Sequence, residues 1–99
     1  MKVILTEAAW ADMLSIGQVI KRDSPARAIS FVDELYEHCQ ELGAMPRAFP
    51  LLPDFQASGI RRRVHGNYLI FYRIGDEAIE ILHVLNGAMD YEQTLFPDQ

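Results

Sequence analysis

One cysteine, Cys39, is the entire thiol content of these 99 residues. No disulfide can close within the chain, which suits a reducing compartment. No apolar run approaches the length that spans a bilayer. The opening Met1-Lys2-Val3-Ile4-Leu5 meets Glu7 too soon to form the core of a secretion signal. The expected location is cytoplasmic. His38, His65 and His83 have no neighbouring ligands at metal-binding spacing. There is no glycine-rich phosphate loop and no nucleophile elbow. Neither a metal nor a cofactor is expected.

Positive charge is absent from the last quarter of the chain, and its placement elsewhere says more than the net charge of −5. Residues 74–99 hold six acids and no lysine or arginine, for −6. Residues 47–73 hold five arginines against Asp54 alone, for +4, and residues 1–46 carry −3. A basic middle in an acidic chain can attract a polyanion or an acidic partner. With 49% hydrophobic and 23% charged residues, the composition is that of a globular protein. At this length one core is expected, so residues 1–99 are read as a single domain.

Residues 2–5 read as a short strand. Thr6, with Glu7 in the first turn, opens a helix. Its apolar positions Ala9, Trp10, Met13, Leu14, Gly17 and Ile20 recur every three or four residues, and the helix is expected to end near Lys21-Arg22-Asp23. Ser24-Pro25 pairs a capping hydroxyl with a proline at the first helical position. The second stripe is Ala28, Phe31, Val32, Leu35, Cys39 and Leu42, with Gly43 at its end. Cys39 on this stripe reads as a small buried hydrophobe rather than a nucleophile.

Pro46, Pro50 and Pro53 make residues 44–58 a loop, pinned to the body by Phe49, Leu51, Leu52 and Phe55. Three strands follow at 60–65, 68–74 and 78–85, joined by Gly66-Asn67 and Gly75-Asp76-Glu77 turns into an antiparallel meander. Residues 89–96 form a final helical turn or a tail. The order β-α-α-β-β-β predicts an α+β fold, with a helical hairpin on an antiparallel sheet that the first strand joins.

Arg61-Arg62-Arg63 breaks the logic of a half-buried strand. Alternation puts Arg62 opposite to its two neighbours, so at least one guanidinium lies towards the helices and needs an anionic partner. Two readings stand: an edge strand protected by charge with one ion pair to a helix carboxylate, or a positive binding surface shared with Arg73 and His83. The turn spacing sets Arg73 opposite residue 79 and His83 beside about residue 69, so these two are separated along adjacent strands. Tyr68 and Tyr72 share one face and read as packing residues rather than stacking platforms.

The run Gly59-Ile-Arg-Arg-Arg-Val-His-Gly-Asn-Tyr-Leu-Ile-Phe-Tyr-Arg-Ile, followed by Ile79-Glu-Ile-Leu-His-Val-Leu-Asn-Gly-Ala88, resembles the C-terminal sheet of ParE-type toxins in the ParE/RelE superfamily. Gly66–Arg73 is its most specific block, and the N-terminal strand and two helices agree with it. The resemblance implies the toxin half of a type II toxin–antitoxin pair that causes growth arrest. It implies a cognate antitoxin whose disordered segment wraps the toxin through a helix in a groove or an added strand, and DNA gyrase as the target, inhibited without catalysis by the toxin. Arg61, Arg62, Arg63, Arg73, His83 and Asn86 are then the expected target-binding residues. RelE-type relatives are instead metal-independent ribonucleases that cut mRNA in the ribosome. In that alternative His83 is the only residue placed for acid–base work, with Tyr91 in an unfixed tail, and a derived, non-toxic binding module is a third possibility. Where the family's last strand has arginine, histidine and arginine, this chain has His83, Asn86 and Met89, a loss of two positive charges.

Overall fold

The computed structural model describes residues 1–98. Its order is β1 (Lys2–Leu5), α1 (Glu7–Lys21), α2 (Pro25–Glu41), a short 3-10 turn (Gln56–Ser58), β2 (Ile60–His65), β3 (Tyr68–Ile74), β4 (Ala78–Asn86) and α3 (Tyr91–Leu95). Both long helices start where the capping chemistry directs. Thr6 Oγ1 accepts the Ala9 N–H at 3.2 Å, and Ser24 Oγ accepts the Arg27 N–H at 3.2 Å. Each satisfies one of the amide donors that a helix start leaves without an internal partner.

The strands form one sheet in the order β1-β4-β3-β2. The meander is antiparallel as expected, and β1 does join it. It does so in parallel, Lys2 opposite Ala78 through Leu5 opposite Ile81, so the sheet is mixed. The helical hairpin forces this direction. A chain that leaves β1, runs out along α1 and returns along α2 covers one face before it re-enters the sheet at the far edge.

Two apolar clusters sandwich the sheet. Towards the helices, Ala9, Met13, Leu35, Cys39 and Leu42 pack on Ile70, Tyr72, Ile79 and Ile81. On the opposite face Leu52, Ile60, Leu69, Phe71 and Leu85 form a smaller cluster. It is closed by Phe55 from the proline-rich loop and by Tyr91, Leu95 and Phe96 from the C-terminal segment. Phe55 and Phe96 stack at 4.3 Å. The final helical turn is thus packed in place by the sheet's second face.

The α1 stripe is rotated from the expected one. Ala9, Met13 and Ile16 are buried, whereas Trp10 and Leu14 are 51% and 65% exposed. One residue along a helix turns the side chain by 100°. The positions 9, 13 and 16 take the sheet, and 10 and 14 look away from it.

Close backbone approach explains Gly43. Met1's ammonium donates to the Gly43 carbonyl at 2.6 Å, and a Cβ at this position would run into the Met1 carbonyl oxygen. Gly66 takes the left-handed φ of +59° that its two-residue hairpin turn requires.

Thr6 also fastens α1 to the sheet. Its hydroxyl donates to the Ile81 carbonyl at 2.8 Å, and its backbone N–H reaches the same oxygen at 3.1 Å. Thr6→Ala removes a cap and a tether together. The expected loss of unfolding free energy is about 1–2 kcal/mol, read as a lower urea midpoint at unchanged slope.

Candidate functional site

β2 lies at the sheet edge, and its three arginines divide between the two faces. Arg61 and Arg63 point towards the helices. Arg61 Nη1 donates to the Phe49 carbonyl at 2.7 Å. Arg63 Nη1 forms an ion pair with Glu41 at 2.8 Å, donates to the His38 carbonyl at 3.0 Å and lies over the Phe49 ring. One arginine facing the helices and holding a helix carboxylate is what strand alternation predicts. Part of the outer edge of β2 is also closed, since Leu52 N–H donates to Ile60 O and Arg62 N–H to Pro50 O. This loop segment supplies Leu51, which bridges to Arg61.

Arg62 points to the other face and donates to the Tyr91 hydroxyl at 2.9 Å. Residues paired across antiparallel strands share a face, so Arg62, Phe71 and His83 form one row across β2, β3 and β4. Tyr91 lies over this row with its ring 5.0 Å from that of Phe71. Its place was not readable from the sequence, because only the outer apolar cluster fixes it. Arg73 occupies the same face further along and forms an ion pair with Glu80 at 2.9 Å. The six expected residues therefore do not make one patch. The outer face holds Arg62, Arg73 and His83, and the helix-facing side holds Arg61, Arg63 and Asn86. Asn86 is exposed at the end of β4, where its Oδ1 accepts the Ala88 N–H at 2.8 Å.

The register of β3 on β4 differs from the expected one. Arg73 faces Glu80 rather than residue 79, and His83 faces Phe71 rather than residue 69. The turn uses residues 75–78, with Gly75 N–H bonded to Ala78 O. A bulge then leaves Leu82 unopposed between the Tyr72–Ile81 and Phe71–His83 pairs.

His83 has a partner that sequence reading did not pair with it. Asp12 Oδ2 lies 2.7 Å from His83 Nδ1 and also accepts the Val84 N–H at 3.0 Å. A second histidine cluster joins α2 to β2. His38 and His65 have ring centroids 4.3 Å apart, with Glu34 at 3.4 Å from His65 Nε2. The Arg27 guanidinium beside Glu34 holds that carboxyl below its ordinary range, as His65 does to a lesser degree. Among the described residues no group of three or more side chains could hold a metal ion, and no helix is long and apolar enough to cross a membrane.

Cys39 is fully buried, and burial pushes its thiol up to about 12, against a smaller opposing effect of Arg63. Burial likewise raises the Tyr72 phenol. Both groups hold their protons more tightly folded than unfolded. Their contribution to stability is therefore present in full below about pH 9 and is lost as pH rises from there towards 12. The native thiol should react with iodoacetamide at pH 8 at least about 100-fold more slowly than the urea-unfolded chain.

The hairpin's outward side exposes a group of apolar side chains. Trp10, Leu14, Gly17, Ile29 and Val32 line a groove of about 550 Å³ between α1 and α2. Trp10 stacks on Tyr36 at 5.9 Å, and Ile29 is 68% exposed. Lys21 and Asp33 stand on its border. Exposed apolar side chains gathered in this way mark an interaction surface.

The fold is found in a solved structure described as the chromosomal ParDE toxin–antitoxin system from P. aeruginosa, with a TM-score of 0.75 and 20% identity over 87% of this chain and 95% of that one. No curated protein matches the sequence. The sequence model of the ParE toxin of the type II toxin–antitoxin system parDE matches residues 3–91, a span that runs from β1 through the start of α3. This chain belongs to the ParE toxin family.

Proposed function

We propose that this toxin arrests growth by poisoning DNA gyrase, holding the enzyme on its cleaved DNA. A cognate antitoxin neutralises it by laying an amphipathic helix along the α1–α2 groove. Family membership across residues 3–91 carries the reading. The groove supports the second part, because an apolar trough between two helices suits a helix with anchors at every third and fourth position. No covalent chemistry by the toxin is required, so its residues act by binding. Arg73 and Asn86 are the exposed members of the expected target-binding set, with Arg61, Arg62, Arg63 and His83 behind them at partial exposure. Incubating purified toxin with gyrase and supercoiled DNA should yield covalent gyrase–DNA complexes after detergent treatment.

One observation favours a second reading, metal-independent cleavage of translated mRNA. Arg62 donates to the Tyr91 hydroxyl beside Phe71, whose partner on β4 is His83, the ring of which is held by Asp12. A cation and a phenol thus meet, and an imidazole lies on β4, two strands from Arg62. Those are the group types that phosphodiester cleavage needs for charge stabilisation and proton transfer. Cut mRNA with gyrase untouched, and cutting lost in His83→Ala, would establish this reading over the first.

A further inference from the structure

Asp12 and His83 lie 71 positions apart in sequence and meet where β1 runs out. β1 pairs with β4 only as far as Ile81. Beyond that point the start of α1 serves the open edge of β4. Thr6 takes the carbonyls of Ile81 and Leu82, and Asp12 Oδ2 takes the N–H of Val84. The same oxygen is 2.7 Å from His83 Nδ1. A carboxylate oxygen accepts and has no proton to give, so Nδ1 carries the hydrogen of this contact. His83 Nε2 has no partner among the described residues, and no side-chain nitrogen or oxygen there is both buried and unpaired. Nε2 therefore reaches solvent.

We infer that Asp12 is a positioning residue: it fixes His83 in its Nδ1–H form and presents Nε2 as an acceptor to a donor on a protein surface, a backbone amide or a lysine or arginine side chain, and not to a phosphate. With the ring neutral, Nε2 offers a lone pair. With the ring charged, Asp12 cancels the charge. In neither state does the pair carry net positive charge with which to hold a phosphate. Of the arginines, Arg63 and Arg73 are neutralised by Glu41 and Glu80. Arg61 and Arg62, bonded to a carbonyl and a phenol, keep their charge but lie on β2, which is separated from His83 on β4 by β3. The inference rests on the proposed reading in which His83 is among the residues that bind gyrase.

Long-range proton–nitrogen correlation spectra of the whole protein at pH 8 test the ring, and gyrase binding by calorimetry tests the contact. The expected spectrum shows His83 protonated at Nδ1, with the tautomer moving towards Nε2–H in Asp12→Ala. His83→Ala should weaken gyrase binding about tenfold, as loss of one good hydrogen bond does. His83→Gln, which keeps an accepting oxygen, should recover most of that loss. His83→Arg should not recover it. Tighter binding by His83→Arg than by wild type overturns the inference in favour of a phosphate contact. A wild-type spectrum dominated by Nε2–H overturns it whether or not gyrase binds. Absence of wild-type gyrase binding overturns the proposed target and leaves the spectrum to decide the role of Asp12.

Discussion

Phe71→Ala is expected to lower the unfolding free energy by about 3–5 kcal/mol. A 99-residue domain has roughly 5–15 kcal/mol to lose, so this one change takes a large share. Phe71 is fully buried at the centre of the outer cluster. It touches the Tyr91 ring and stands between Arg62 and His83 in the cross-strand row. Removing its ring opens a cavity that Leu69, two residues away on the same strand, and Leu85, fixed on β4, cannot close. The C-terminal segment should loosen at the same time, because α3 contains no buried residue of its own and no side-chain cap. Urea unfolding gives the first quantity, and faster amide exchange across 91–96 gives the second. A loss below about 1 kcal/mol, the range of ordinary surface changes, would mean that the outer cluster is not a second core.

Ile29→Asp is expected to leave the fold intact and disable neutralisation. Its side chain is 68% exposed, and an acid in the first half of α2 agrees with the helix dipole, so the stability change should stay within about 0.5 kcal/mol. In the groove the same change places a charge where an apolar anchor of the antitoxin is expected to be buried. Antitoxin affinity should fall about 100-fold or more, the effect of losing a central anchor and leaving a charge unpaired. Calorimetry of toxin against antitoxin measures this directly. Cells co-expressing the antitoxin should cease to be protected from the variant. Unchanged affinity would remove the α1–α2 groove as the antitoxin's seat.

Short-range chemistry carried most of the fold. Thr6 and Ser24-Pro25 mark both helix starts because caps act over three residues, and the Gly66-Asn67 turn follows from a φ that few residues adopt. The Arg63–Glu41 pair was legible in kind, since strand alternation requires one arginine to face the helices. What was not legible depends on parts of the chain that meet only on folding. The parallel seat of β1 is decided by how a helical hairpin returns across a sheet. The stripe of α1 holds apolar side chains on two adjoining faces, and periodicity cannot say that 9, 13 and 16 face inwards while 10 and 14 form a groove. Nothing in the sequence ties Asp12 to His83, because the partners of Asp12 lie on the last strand, 71 residues away. The bulge at Leu82 shifted His83 by more than any turn rule could foresee.

The parallel pairing of the first strand with the last has a consequence for synthesis. Lys2 to Leu5 find their hydrogen-bond partners only in Ala78 to Ile81. A nascent chain that stops short of β4 has a helical hairpin with an uncovered apolar side and a two-stranded remnant, neither of which is stable alone. Contacts this distant in sequence also close slowly. The protein thus has no vectorial folding intermediate with its working surface in place. On the proposed reading, truncated chains that lack β4 are expected to leave growth unaffected when expressed alone, a result that a growth assay checks.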